Sequence, residues 1–219
     1  MQNACSWTVY QSMKTPTPAS VGIEEVATTG HFRHLSTLPG IVYDLKYAST
    51  DNFAGTDLYG GHDCAWLHRD AAEALAECAR YLGKKDPDLR LLVLDALRPH
   101  RVQEDMWGRL KDTPLRIYLA DPARGSIHSF GMAVDITIAR SDGTWLDMGS
   151  GFDELAERSH PEFEARFLAD GTLTLLQVGN RQLLRDTMKA GGFMGIRTEW
   201  WHFDFGDRRQ VRETFVRVN

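Results

Sequence analysis

The most informative stretch of the chain is residues 126–138, which read Ser-Ile-His-Ser-Phe-Gly-Met-Ala-Val-Asp-Ile-Thr-Ile. From residue 132 to 138 large apolar residues alternate with smaller or polar ones, and this period of two predicts a β-strand. Asp135 lies on the face that it shares with Ala133 and Thr137. A carboxylate at that position either faces solvent or binds a partner, because unpaired charges are rarely buried.

His128 lies seven residues before Asp135, with Gly131 between them. Glycine lets the backbone turn sharply, so a loop histidine and a strand aspartate can converge on one point. Imidazole and carboxylate groups are good zinc ligands. The pair therefore makes a metal site an alternative to an ordinary hydrogen-bonded histidine beside a solvent-facing aspartate.

A second polar segment, Glu199-Trp200-Trp201-His202, follows about seventy residues downstream. Glu199 and His202 would share one face of a helix but lie on opposite faces of a regular strand. The aromatic neighbours favour a strand or loop, so we expect a turn or bulge between Glu199 and His202. This segment alone is equally compatible with an aromatic core strand that carries a surface histidine.

Together the two segments supply the residue types of a catalytic zinc site. Such a site has three protein ligands, an open position for water, and a carboxylate that handles the proton of that water. Arg98 is a further candidate, since it directly follows an apolar run and precedes Pro99. It is either an ordinary surface arginine or a fixed guanidinium that stabilises oxyanion charge.

The remaining patterns predict an α+β fold, with helices packed around a central antiparallel sheet that carries the zinc site. Residues 41–47 and 89–94 have the composition of strands. Residues 66–82 have a helical apolar period, and Asn180 is a plausible N-cap of a later helix that Gly191 and Gly192 close. Residues 1–30 are weakly patterned and predict a flexible N-terminal arm, whereas residues 31–219 are expected to form a single domain that carries the zinc site.

Composition excludes several classes of partner. The chain has 219 residues and a net charge of −5, which argues against nucleic acid or an anionic membrane as a partner. No apolar run is long enough to span a bilayer. Residues 1–30 lack the apolar core of a signal peptide and favour the cytoplasm, with the periplasm as the alternative if a leader has been removed.

The ordered series of motifs resembles the zinc D-alanyl-D-alanine dipeptidases of the VanX type, in peptidase family M15. The resemblance covers roughly residues 40 to 205. It is carried by the following motifs: Asp44-Leu45-Lys46-Tyr47-Ala48, Asp51-Asn52-Phe53, Asp95-x-x-Arg98-Pro99, Ser126-x-His128-x-x-Gly131-x-Ala133-x-Asp135, Met148-Gly149-Ser150-x-Phe152-Asp153, Glu157-Arg158-Ser159-His160 and Glu199-x-Trp201-His202.

The resemblance implies hydrolysis of the dipeptide D-alanyl-D-alanine to two molecules of D-alanine. It implies that His128, Asp135 and His202 bind one zinc ion per chain. Glu199 would be the general base and Arg98 would stabilise the tetrahedral intermediate. Ser126, Tyr47 and Asp153 would hold the substrate, with Asp153 as the counter-charge of its free ammonium group.

Two alternatives stay open at this point. The segment between Arg98 and Ser126 is short for the family and could open the pocket, so a D,D-carboxypeptidase or related peptidase acting on larger cell-wall peptides is the first alternative. A binding protein that recognises D-alanine termini without cleaving them is the second, although such a protein needs no base at Glu199. Homo-oligomers are compatible with the sequence, as are roles in glycopeptide resistance or in D-alanine salvage.

Overall fold

The computed structural model describes residues 20–219, which form nine β-strands and five α-helices. The first half of this region contains β1 (Ser20–Val21), β2 (Phe32–His34), β3 (Ile41–Tyr43), β4 (Trp66–His68), α1 (Arg69–Lys85), β5 (Leu89–Asp95) and α2 (His100–Leu110). The second half contains β6 (Ala133–Arg140), α3 (Glu164–Ala169), α4 (Leu175–Ala190), β7 (Phe193–Gly195), β8 (His202–Phe205), α5 (Arg208–Thr214) and β9 (Arg217–Val218).

The central sheet has five strands in the order β3-β5-β6-β8-β7. The predicted mixture of helices and strands is confirmed, but the prediction of an antiparallel sheet is wrong, because β3 pairs with β5 in parallel. The other three pairings are antiparallel. Between β3 and β5 the chain passes through β4 and α1, and a connection of this length lets β5 return in the same direction as β3. The sheet is therefore mixed.

The central strands β5 and β6 are buried on both faces. Leu91 and Val93 belong to the cluster that contains α1 and α4, whereas Leu92 and Leu94 pack with Phe152 on the other face. Successive side chains of a strand point to opposite faces, so an almost continuous apolar run is what a doubly covered strand requires. The two acidic residues of these strands, Asp95 and Asp135, are consequently almost fully removed from solvent.

Two predicted helix starts are wrong. Residues 66–68 form β4, paired with β2, and α1 begins at Arg69 after His68, whose side chain accepts a hydrogen bond from the backbone of Asp70. The last helix before β7 begins at Leu175 rather than after Asn180, because Thr174 and Gln177 form a reciprocal capping box there. Its first two residues are exposed leucines, so the apolar period begins only in the second turn.

Residues 1–19 of the predicted arm lie outside the described region. Residues 20 and 21 pair with β9, and Ile23 and Val26 are buried against the body. The division of the chain at residue 30 stays a prediction. Among the helices of the described region, none has the length and apolar character needed to cross a membrane.

We predict that Gly191→Ala destabilises the protein by about 1–3 kcal/mol, the usual effect of forcing extra volume into a packed contact. A Cβ at Gly191 would collide with the carbonyl oxygen of Ala74 and the sulfur of Cys78, both in α1. Gly179→Ala, inside the helix α4 that Gly191 caps, is the control, since a Cβ there meets nothing within 4 Å and alanine favours the helix. Urea denaturation should separate the two variants, and equal stabilities would contradict this account of the α1–α4 contact.

Candidate metal centre

The register of the central sheet brings three polar residues into one row. Asp95 at the end of β5 lies opposite Asp135 in β6, and Asp135 lies opposite His202 at the start of β8. Asp135 and Asp95 are almost fully buried, so the interpretation of Asp135 as a solvent-facing strand residue is wrong. Backbone pairing alone thus places the aspartate of one predicted segment beside the histidine of the other.

His128 joins this row from a short 3-10 helix, Ile127–Phe130, that precedes β6. Gly131 ends that helix in the left-handed conformation, with a φ of 65°. A side chain at Gly131 would also press on the backbone of His68 in the neighbouring strand. Only glycine fits both requirements, and the resulting turn directs His128 back towards Asp135.

Three ligand atoms meet at this point. His128 Nε2 lies 3.2 Å from His202 Nδ1. Asp135 Oδ1 lies 2.9 Å from His202 Nδ1 and 3.4 Å from His128 Nε2. Ligands at about 2.0–2.1 Å from a tetrahedral metal ion are separated from each other by about 3.3 Å. The spacing of the three atoms therefore suits one small divalent ion.

In each histidine the outer ring nitrogen, the one that faces away from Asp135, already has a hydrogen-bond partner. His128 Nδ1 lies 2.8 Å from the carbonyl oxygen of Ala96, which can only accept a hydrogen bond. His202 Nε2 lies 3.0 Å from Asp204 Oδ1, and Asp204 is buried. In neutral imidazoles these outer nitrogens carry the hydrogen, so the inner nitrogens present lone pairs to each other and to Asp135. Three electron-rich atoms at such short range form a ligand set that suits a cation between them.

The charges around the three donors support the same conclusion. Burial disfavours the protonated form of His202, but Asp204 and Asp135 outweigh that effect and raise its pKa well above the usual range. Burial opposes ionisation of Asp135, yet His128 and His202 hold its pKa well below normal. The surroundings thus stabilise positive charge at the centre, which a metal ion supplies without protonating the ligands.

Arg98 is fixed beside the centre and is not a surface residue. It is 7% exposed, and its Nε and Nη2 donate to Asp95 Oδ2 at 2.8 and 2.5 Å. Nη2 also lies 3.2 Å from Asp135 Oδ2, and Nη1 donates to Gln103 Oε1 at 3.1 Å. The guanidinium group lies over the ring of Tyr47, 5.0 Å from its centroid. These contacts leave Arg98 one orientation, with its charge at the metal centre.

Glu199 is buried immediately before the strand that carries His202, and the chain bends at Trp200 and Trp201 as expected. Burial, with the charges of Asp135 and Asp153, raises the pKa of the Glu199 carboxyl to about 8. Such a carboxyl exchanges its proton near neutral pH.

Asp153 is the second acidic group with a raised pKa. Burial brings its pKa to about 7, opposed by a hydrogen bond of 2.9 Å from Tyr47. The backbone amide of Phe53 also donates to Asp153, at 3.4 Å. Asp153 is thus held from two sides by the segment that follows β3.

One cavity of about 790 Å³ joins these groups. Its lining includes each of the eight candidates named from the sequence: Tyr47, Arg98, Ser126, His128, Asp135, Asp153, Glu199 and His202. Residues from both ends of the described chain thus meet in a single space beside the three donors.

Several residues of the site were missed at the sequence level. Asp204 had a local signal, because residues i and i+2 of a strand share a face, and His202-Phe203-Asp204 fits that pattern. Tyr59 had none, although its hydroxyl donates to buried Asp95 from 36 residues away. No local sequence signal marked the three arginines of the cavity wall, which are Arg124, Arg208 and Arg212. Arg212 donates hydrogen bonds to the carbonyl oxygens of Arg208 and of Gly125, the residue after Arg124, at 3.4 and 3.0 Å, so the three arginines are neighbours. Burial, with the charges of Arg208 and Arg124, lowers the pKa of Arg212.

Comparison with known proteins agrees with this geometry. A family model described as D-ala-D-ala dipeptidase, of the peptidase M15 group, matches residues 28–219. A D-alanyl-D-alanine dipeptidase of Escherichia coli (strain K12) is 39% identical over 166 residues, which cover 76% of this chain and 79% of that protein. Proteins of the same name from Streptomyces coelicolor and Enterococcus faecalis are 32% and 29% identical, over 80% and 78% of this chain and 91% and 88% of their own lengths.

We predict that Asp204→Ala lowers zinc affinity about 10–100-fold, the usual effect of removing a carboxylate that orients a ligating histidine. Asp207→Asn is the control, because it removes a carboxylate from the same cavity wall while keeping an N-cap side chain for α5. Competition with a chromophoric chelator gives both affinities. Equal affinities for the two variants would mean that Asp204 does not orient His202.

Proposed function

The chain belongs to peptidase family M15, the D-alanyl-D-alanine dipeptidases, whose members are metal-dependent, and we propose that it hydrolyses D-alanyl-D-alanine to two molecules of D-alanine. The observation that carries this function is the single cavity in which the metal-ligand triad, two carboxylates with raised pKa values and a fixed guanidinium group meet.

We propose zinc as the metal, one ion per chain, held by His128, Asp135 and His202. Two imidazoles and one carboxylate with an open fourth position are a ligand set of catalytic zinc. A zinc ion held by these three residues would lower the pKa of a bound water towards about 7 and polarise the carbonyl group of the substrate.

Glu199 is the proposed general base. Its pKa is raised by burial first and then by neighbouring carboxylates, and a divalent cation nearby favours the ionised form. Glu199 then takes the proton of the attacking water and delivers it to the nitrogen of the leaving D-alanine. A carboxyl group whose pKa is raised towards neutral suits both the acceptance and the return of that proton.

Arg98 is proposed to stabilise the negative charge that develops on the carbonyl oxygen. Asp95 holds two of its nitrogen atoms and Gln103 holds the third, so the guanidinium group needs no reorientation during the reaction. The ion pair with Asp95 also stabilises a positive charge that is almost fully removed from water.

The two ends of the dipeptide need opposite charges, and the cavity offers both. We propose that Asp153, with Tyr47 beside it, binds the ammonium group, whose charge favours the ionised carboxylate. Ser126 and the group of Arg124, Arg208 and Arg212 line the cavity beyond the centre and suit the carboxylate end.

A peptidase for larger cell-wall peptides is the second candidate, favoured by the size and the rim of the cavity. A volume of about 790 Å³ exceeds what a dipeptide fills. Ile117 and Met194 line it and are 63% and 55% exposed, so its mouth carries apolar surface that a longer peptide could cover. The carboxylate of Asp153 separates the two candidates, because only a free dipeptide brings an ammonium group there.

Glu199→Gln should keep one zinc ion per chain and lower kcat for D-alanyl-D-alanine by about 10²–10⁴-fold, because the amide cannot accept the proton. Metal analysis and D-alanine release measure the two effects separately. Glu73→Gln, at an exposed position of α1, is the control and should leave both unchanged. Full activity of the Glu199 variant would remove this residue from the mechanism.

Asp153→Asn should raise KM for D-alanyl-D-alanine by at least tenfold, the scale of a lost charge-assisted hydrogen bond, while KM for N-acetyl-D-alanyl-D-alanine stays unchanged. Asparagine suits this position because Asp153 has a φ of 58°, a conformation that asparagine tolerates. Equal increases for both substrates would exclude the dipeptide assignment and favour a peptidase for longer chains.

A further inference from the structure

One hydroxyl group connects the two irregular segments that carry Asp153 and Glu199. Ser150 lies three residues before Asp153, and Trp200 directly follows Glu199. Trp200 Nε1 donates to Ser150 Oγ at 2.9 Å, across 50 residues of sequence. Arg181 Nη2 from α4 donates to the same oxygen at 3.2 Å, and Ser159 Oγ lies 2.9 Å from it.

The direction of these hydrogen bonds follows from the number of hydrogens available. Ser159 Oγ donates its hydrogen to the carbonyl oxygen of Glu154 at 2.6 Å. Ser150 must therefore donate to Ser159, which leaves its two lone pairs for Trp200 and Arg181. The Ser150 hydroxyl is fully used, with one hydrogen donated and two accepted. A side chain without a hydroxyl would leave the indole N–H and an arginine N–H without their partner.

Arg181 fixes the rest of the loop. It is 1% exposed, and its Nε donates to the carbonyl oxygen of Met148 at 2.6 Å, while Nη2 donates to that of Arg158 at 3.0 Å. Its charge faces Glu164, 3.5 Å from Nη1. Both ends of the loop that contains Asp153 are thus attached to one buried guanidinium group in a regular helix.

Asp153 requires such support because its backbone is strained. Its φ of 58° makes it the sole non-glycine residue with positive φ in the described region. The left-handed conformation is unfavourable for a residue with a Cβ, less so for aspartate than for most, and it persists where the surroundings impose it. Ser159 supplies part of this restraint through the carbonyl oxygen of Glu154, the residue next to Asp153.

We propose that Ser150, with Ser159, Trp200 and Arg181, is a positioning centre that sets the places of both functional carboxylates. One branch, through Ser159, holds Asp153 for the substrate ammonium group. The other branch, through Trp200, holds Glu199 for proton transfer. This inference rests on the proposed function, because it assigns consequences to the roles of Asp153 and Glu199.

The two branches predict opposite kinetic effects. Ser159→Ala should raise KM for D-alanyl-D-alanine roughly tenfold, the scale of one lost hydrogen bond, with kcat within about twofold of wild type. Trp200→Phe removes the indole N–H and should lower kcat roughly tenfold, with KM within about twofold. Ser150→Ala should show both effects. If these residues had a purely structural role, all three variants would lose stability, and none would change KM and kcat independently of each other.

Thr187→Val is the matched control for loss of a buried hydroxyl. Thr187 lies in α4 like Arg181, is fully buried, and its hydroxyl makes no hydrogen bond within the described residues. Its kinetics should equal those of the wild type. Zinc content and melting temperature are measured for every variant, so that kcat and KM are compared only between folded, metal-loaded enzymes.

The Asp153→Asn background tests whether the Ser159 branch acts through Asp153. In that background Ser159→Ala should raise KM no further, whereas an additional tenfold increase would overturn this branch of the inference. Equal losses of kcat in Ser159→Ala and Trp200→Phe would overturn the inference that the two branches act on different carboxylates. If Asp153→Asn itself leaves KM unchanged, the proposed role of Asp153 fails, and the kcat of Trp200→Phe still decides whether Ser150 positions Glu199.

Discussion

The pairing register of β5, β6 and β8 is the constraint on which the centre depends. It sets Asp95, Asp135 and His202 side by side, and a slip of one residue would turn Asp135 or His202 to the opposite face of the sheet. The large apolar residues between the polar ones in β6 prevent that slip, because Val134 and Ile136 are fully buried and would have to exchange places with Asp135. The core therefore fixes Asp135 and His202 through the strand register, and the turn at Gly131 places His128 beside them.

Burial of so many acidic groups is possible only with compensating positive charge. Near the centre Arg98 neutralises Asp95 and contacts Asp135, and Arg208 pairs with Asp204. Two guanidinium groups cannot balance the charge of the five carboxylates near the centre. These carboxylates belong to Asp95, Asp135, Asp153, Glu199 and Asp204. Unpaired buried charges are strongly unfavourable, and a divalent ion bound by His128, Asp135 and His202 would supply the missing positive charge. Burial is the main cause of the raised pKa values of Asp153 and Glu199, and the neighbouring carboxylates raise both values further.

Local patterns were sufficient to name the three candidate metal ligands and Glu199, whereas the substrate-binding candidates came from the family resemblance and three arginines of the cavity wall were missed. Alternation in β6, the glycine turn before it and the aromatic segment around His202 are each visible within ten residues. Contacts between distant segments were not predictable in this way. The parallel direction of β3 depends on how α1 packs, and the burial of Arg98 depends on Asp95, Gln103 and Tyr47 being brought together. The start of α4 was missed because its first residues face solvent, where no apolar period exists.

The residues of the centre lie on two kinds of backbone, regular strands and irregular segments. The three candidate metal ligands lie on or next to regular strands, whose backbone hydrogen bonds hold them in place whether or not a substrate is bound. Asp153 and Glu199 lie on irregular segments, which have no ladder and depend on side-chain contacts for their positions. Changes in those contacts can alter substrate recognition or proton transfer while the ligand geometry stays intact. Specificity in this fold is therefore open to change through residues that touch neither the metal nor the substrate.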